Sequence, residues 1–144
     1  MLLQTAQRGW LVAVLMSVGL VVLTALVINQ IAFKHRFGNA LLKTIVHAVL
    51  FGGTGLALWY YAKKTPTPSI VDFVVTRAAD LTVPVAFSAV LVFFAMLVGN
   101  LVAFNNRLAN VAATALVFTA MYGGVVYAIR TLSLGGNLAD LVFL

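Results

Sequence analysis

Leu26-Val27-Ile28-Asn29-Gln30-Ile31-Ala32-Phe33-Lys34-His35-Arg36-Phe37-Gly38-Asn39 is a stretch that the chain writes twice. It returns 71 positions later as Leu97-Val98-Gly99-Asn100-Leu101-Val102-Ala103-Phe104-Asn105-Asn106-Arg107-Leu108-Ala109-Asn110. Two Asn, one Arg and the Ala-Phe pair keep register. Extended without gaps, residues 26–57 and 97–128 share 11 identities in 32 positions, among them Gly52-Gly53 against Gly123-Gly124 and Ala57 against Ala128. An apolar-biased composition alone would align about 3, and would not align scarce Asn and Arg. The pattern predicts a tandem duplication of about half the chain.

What the repeated unit is follows from composition. The chain has 144 residues, 63% of them hydrophobic and only 8% charged, with no Glu and no Cys. A soluble core of this size cannot hide that much apolar surface. Apolar runs cover about 10–33, 41–62, 81–104 and 108–129, and each is long enough to cross a hydrocarbon layer of ~30 Å as a helix. Backbone groups in that layer must bond within their own segment, so four transmembrane helices are predicted. The first run exceeds 20 residues and no small-x-small site follows it, which argues against a cleaved signal peptide.

The expected fold is therefore all-α and integral to the membrane, with two tandem two-helix repeats. Its units are residues 1–65, a linker at 66–69, residues 70–131, and an interfacial C-terminal tail at 132–144. Two helices per repeat make the halves enter from the same side, as parallel repeats related by a pseudo-twofold along the membrane normal. The linker is the Thr65-Pro66-Thr67-Pro68 stretch, extended because each residue before a proline is pushed from the α region. Ser69-Ile70-Val71-Asp72 has the Ser-x-x-acid form of a capping box and predicts that helix 3 starts near Ile70. Running on to Phe104, that helix would be about 50 Å long and extend beyond the bilayer, or kink near Pro84.

The net charge of +6 comes from nine Lys and Arg that sit singly or in pairs at helix ends. Anionic lipid headgroups, not nucleic acid, are the expected partners of such charges. Trp59-Tyr60-Tyr61 before Lys63-Lys64 reads as an aromatic belt on side A, the side of the N-terminus. Side A carries five basic residues (Arg8, Lys63, Lys64, Arg77, Arg130) and side B four (Lys34, Arg36, Lys43, Arg107). The small excess favours both termini in the cytoplasm.

The parallel arrangement brings Asn29, Arg36 and Asn39 together with Asn100, Arg107 and Asn110 at side B. Read functionally, these residues make a cationic, amide-rich mouth for an ion or polar solute. Read structurally, the arginines snorkel to phosphates while Asn39 and Asn110 cap helices 2 and 4. Asn29 and Asn100 lie about a turn inside their helices, where an unpaired amide is costly and a partner is expected. Lys43 near a helix end is expected to snorkel. Arg77 and Asp80, three apart on helix 3, form a possible charge site at the side A end.

Two small-residue seams are predicted to hold helices together where lipid supplies no hydrophobic drive. One comprises Gly52, Gly53 and Ala57 with Gly123, Gly124 and Ala128, packing helix 2 on helix 4. The other is Ala95, Gly99 and Ala103 at spacing four. His47 invites a haem reading, but the equivalent position holds Phe118 and the only other His is His35. A hydrogen-bonded structural His is expected, with no cofactor and no metal. Three Asp, two His, no Glu and no Cys leave no acid and base on facing positions and no activated nucleophile, so no enzyme is expected.

The paired hairpins, the Gly38-Asn39-Ala40 and Ala109-Asn110-Val111-Ala112 starts of the second helices, and the mid-helix glycine pairs resemble the YjfL-type family of small bacterial membrane proteins. That family is built from two such two-helix units and has no settled function. The resemblance implies a multi-pass protein of the bacterial inner membrane. Arg36 stands where an acidic residue would be expected in that family, just before the first Asn. From the residues themselves, two functions compete: an oligomeric pore or transporter for an ion or small polar solute, and a non-catalytic subunit that anchors or organises a larger membrane complex.

Overall fold

The computed structural model describes the backbone of residues 2–31, 35–62 and 70–131 and the side chains of 14–31, 35–57 and 82–129. All regular structure among these residues is helical: α1 Leu2–Ile31, α2 Arg36–Ala62, α3 Ile70–Ala103 and α4 Arg107–Thr131. Each contains a segment long and apolar enough to cross a membrane, namely Val14–Ile31, Arg36–Ala57, Thr82–Ala103 and Arg107–Ile129. The fold is that of a multi-pass membrane protein. α3 begins at Ile70 as its capping box predicts and continues through Pro84 for 34 residues, or roughly 50 Å at 1.5 Å per residue. The linker 66–69, the tail 132–144 and the side chains of Trp59, Tyr60, Tyr61, Arg77 and Asp80 lie outside the described residues.

α2 packs on α3, α3 on α4, α4 on α1 and α1 on α2, so the four helices close a ring with α2 and α4 on one diagonal and α1 and α3 on the other. Its outside is apolar: Leu15, Leu23, Ile31, Ile45, Val49, Phe94, Leu101, Leu108 and Leu116 are exposed. Its inside mixes apolar residues with polar ones, ten of which are buried among the described residues. This inversion of the soluble pattern is what a hydrocarbon solvent favours, because polar side chains find partners only within the bundle.

Burial respects the 71-residue offset. Ser17 and Ser88, Val21 and Val92, Ala25 and Met96, Asn29 and Asn100, Asn39 and Asn110, Lys43 and Thr114, His47 and Phe118, and Phe51 and Tyr122 are buried pairs. On α2 and α4 the inward positions recur every four residues, which places them on one stripe of each helix.

The helix starts correct one reading. α2 begins at Arg36 and α4 at Arg107, so Asn39 and Asn110 fall inside the first turn, where their amides donate to the carbonyls of His35 and Asn106 at 2.8 Å each. They do not cap. The cap of α4 is Asn106, whose Oδ1 accepts from the amides of Leu108 and Ala109, both at 3.1 Å. Asn106→Ala is expected to cost about 1 kcal/mol, visible as a small drop in the melting temperature of the purified protein in detergent.

The seams are also redistributed. Ala95 and Gly99 are buried and Ala103 is half-buried, and Gly99 forms the close approach of α3 to α4. A Cβ there would collide with Thr114 Oγ1 and sit 3.2 Å from the Asn110 carbonyl oxygen. Gly52 is half-buried against Val85 of α3, at 3.3 Å from its would-be Cβ. Gly53, Gly123 and Gly124 have open space where a side chain would begin, and Ala57 is exposed. Gly53, Ala57, Gly123 and Gly124 therefore do not pack α2 onto α4 within this chain. Those helices are diagonal, and what meets between them is the larger side chains of the inward stripe.

Candidate functional site: an asparagine cluster and a buried lysine

Four asparagines converge at the end where α1 and α3 finish and α2 and α4 begin. Asn29 and Asn100 are 1% exposed, Asn39 1% and Asn110 0%. Their hydrogen bonds come in pairs separated by 71 residues at both ends. Asn39 Nδ2 donates to Asn29 Oδ1 (3.3 Å), and Asn110 Nδ2 to Asn100 Oδ1 (2.7 Å). Asn29 Nδ2 donates to the Arg107 carbonyl (3.2 Å), and Asn100 Nδ2 donates to the Arg36 carbonyl. Each asparagine near a helix end thus satisfies an asparagine in its own hairpin and the first helical residue of the other.

Like Asn29, Asn110 makes three side-chain hydrogen bonds. Its Oδ1 also accepts from Asn29 Nδ2 at 3.1 Å and from Lys43 Nζ at 2.8 Å. Lys43 is 0% exposed, so it does not snorkel. About two turns into α2, its chain turns inward and its ammonium reaches across the diagonal to α4. Among the described side chains there is no carboxylate to pair with it. On α3, Asp80 lies 8 residues before Ser88, or about 12 Å along the helix, and Ser88 is already at the level of His47, a turn beyond Lys43.

The next level holds His47, whose Nε2 is 3.1 Å from Ser88 Oγ and whose ring stacks on Phe51 (centroids 5.6 Å apart). Phe118 meets His47 edge-on at 6.1 Å and stacks on Tyr122 at 5.2 Å. The Tyr122 hydroxyl is hydrogen-bonded to Ser17. Equivalent serines on α1 and α3 thus take different partners, a tyrosine in one half and a histidine in the other. No group of three or more His, Cys, Asp or Glu that could hold a metal lies among the described residues.

No family model, curated protein or solved structure matches this chain.

Arg36 and Arg107 are exposed. Arg36 lies over the Phe104 ring, 5.4 Å from its centroid, and Arg107 donates to Gln30 Oε1 at 2.9 Å. The two arginines line the rim, while the asparagines form a hydrogen-bonded plug beneath it. Reasoning from sequence brought these six residues together, but missed Ser17, Thr24, Ser88, Thr114 and Tyr122. Lone hydroxyls in an apolar run carry little signal, and only their 71-residue pairing (17 with 88) would have marked two of them.

Proposed function

We propose that this is a small membrane transport protein that passes an ion or small polar solute along the axis of its four-helix bundle. One observation supports the reading above others: Lys43 is wholly buried within a candidate span, on a polar column that runs from the asparagine cluster to His47 and Ser88. Charge inside a membrane bundle is costly and is retained where it serves passage or binding. The column lies within one chain and reaches as far as His47 and Ser88, and in this reading the protein assembles as an oligomer. Two tandem parallel repeats, a bacterial inner-membrane location with both termini cytoplasmic, and anionic headgroups at Arg36 and Arg107 belong to the same proposal. The paired asparagine bonds support the repeats, and the exposed arginines support the headgroup contact. The test is flux of small ions from proteoliposomes that hold the purified chain. Leak no faster than from empty vesicles, under gradients of monovalent cations, halides and protons in turn, would rule the reading out.

A second reading, a non-catalytic anchoring or assembly subunit, is favoured by the open backbone at Gly53 and Gly124 on opposite sides of the ring. Small residues on an outer face let another helix approach closely. Co-purification with an unrelated membrane protein in fixed ratio would support it, and a homogeneous single species would count against it.

A further inference from the structure

We infer that the layer beneath the asparagine cluster binds a small monovalent inorganic anion, held by the Lys43 ammonium and the hydroxyls of Thr24 and Thr114. This inference rests on the transport reading for its biological use, but on its own geometry for the site.

Register defines the layer. Lys43 lies four residues past Asn39, Thr114 four past Asn110, and Thr24 five before Asn29. Because α1 runs toward the cluster and α2 and α4 run away from it, all three are about one turn deeper than the asparagines, roughly 6 to 8 Å at 1.5 Å per residue. All are buried, at 0%, 0% and 1% exposure respectively.

Within this layer, three buried groups hold unused hydrogen-bond donors. The ammonium has three N–H donors, and one is used, on Asn110 Oδ1. The hydroxyls of Thr24 and Thr114 have no partner. A membrane-helix threonine ordinarily bonds the carbonyl one turn back, and two outer threonines do so, Thr44 to Ala40 at 2.9 Å and Thr119 to Ala115 at 2.7 Å. The two inner ones forgo that bond. Three side-chain acceptors of the cluster above are engaged, Asn29 Oδ1 by Asn39, Asn100 Oδ1 by Asn110, and Asn110 Oδ1 by Asn29 and Lys43. One turn deeper, His47 Nδ1 is also unpartnered and is a donor in the tautomer whose Nε2 accepts from Ser88. Spare donors around an uncompensated positive charge call for a ligand that accepts and is negative. Among the described side chains a cation finds no carboxylate at this level, and three donor groups suit a small anion.

The experiment uses the full chain in detergent, with sodium gluconate exchanged for sodium chloride or sodium fluoride at constant ionic strength. Melting temperature and chloride NMR line width are followed. The wild type should show saturable halide-dependent stabilisation. Lys43→Met should weaken it by about 10- to 100-fold, the effect of one charge-assisted hydrogen bond, and Lys43→Arg should retain part of it. The isosteric Thr24→Val and Thr114→Val should each weaken binding by less than Lys43→Met, and they carry the test if the Lys43 variants do not fold. No saturable halide effect in the wild type, or an unchanged one in Lys43→Met and both threonine variants, overturns the inference. Halide binding without flux would keep the site and remove the transport reading. Flux that is indifferent to Lys43→Met, Thr24→Val and Thr114→Val would keep transport and remove the site.

Discussion

Gly99→Ala is expected to destabilise the bundle by ~1 to 3 kcal/mol, the usual cost of forcing atoms into a filled interior, and to lower its melting temperature in detergent accordingly. The new methyl would meet Thr114 Oγ1 and lie 3.2 Å from both Thr114 Cβ and the Asn110 carbonyl oxygen. The hydroxyl can rotate or withdraw, but the carbonyl belongs to the first turns of α4 and cannot. Thr114→Ala should therefore restore part of the loss when combined with Gly99→Ala. Gly53→Ala and Gly124→Ala, with nothing within 4 Å of the added atom, should melt within about 0.5 kcal/mol of wild type, as for ordinary surface changes. A neutral Gly99→Ala beside a damaging Gly53→Ala would move the close helix approach from the α3–α4 pair to α2.

Asn110→Leu is expected to be more damaging still. It removes the acceptor of Lys43 and Asn29 and the donor to Asn100 in one step. Leaving a buried donor without its acceptor costs about 1 to 3 kcal/mol, and more where the donor is charged, because the ammonium left behind has no water to turn to. The diagnostic variant is Asn110→Leu with Lys43→Met. With the stranded ammonium gone, stability should return toward that of Lys43→Met alone, and the double-mutant cycle should give a coupling of at least ~1 kcal/mol. Additive losses would mean that Lys43 finds another partner once Asn110 is absent.

The helices were legible because lipid imposes a length, and the apolar runs at 41–62 and 108–129 end close to the observed Ala62 and Thr131. The convergence of Asn29, Asn39, Asn100 and Asn110 was legible because a scarce polar residue recurred at a constant offset. The sense of three features was not. Lys43, two turns from a helix end, fits a side chain that reaches either the headgroups or the axis, and only Asn110 on a distant segment decides between them. Gly53 and Gly124 at spacing four from Ala57 and Ala128 mark a helix face but not what that face meets. The Asn-initiated start of each second helix suggested a cap, yet helix begins three residues earlier, and Asn106 supplies the cap of α4 while Asn110 turns inward.

The reciprocal bonds from Asn29 to the Arg107 carbonyl and from Asn100 to the Arg36 carbonyl bear on the order in which the chain can be built. During synthesis the first hairpin enters the bilayer with Asn29 and Lys43 lacking the acceptors that α4 will supply, and its own Arg36 carbonyl waits for Asn100. Neither hairpin is a finished object, so the first must be sheltered, by the insertion machinery or by a like hairpin from another chain, until the second arrives. A nascent chain stalled after Ala62 should accordingly be a target for membrane quality control, and one stalled after Thr131 should escape it.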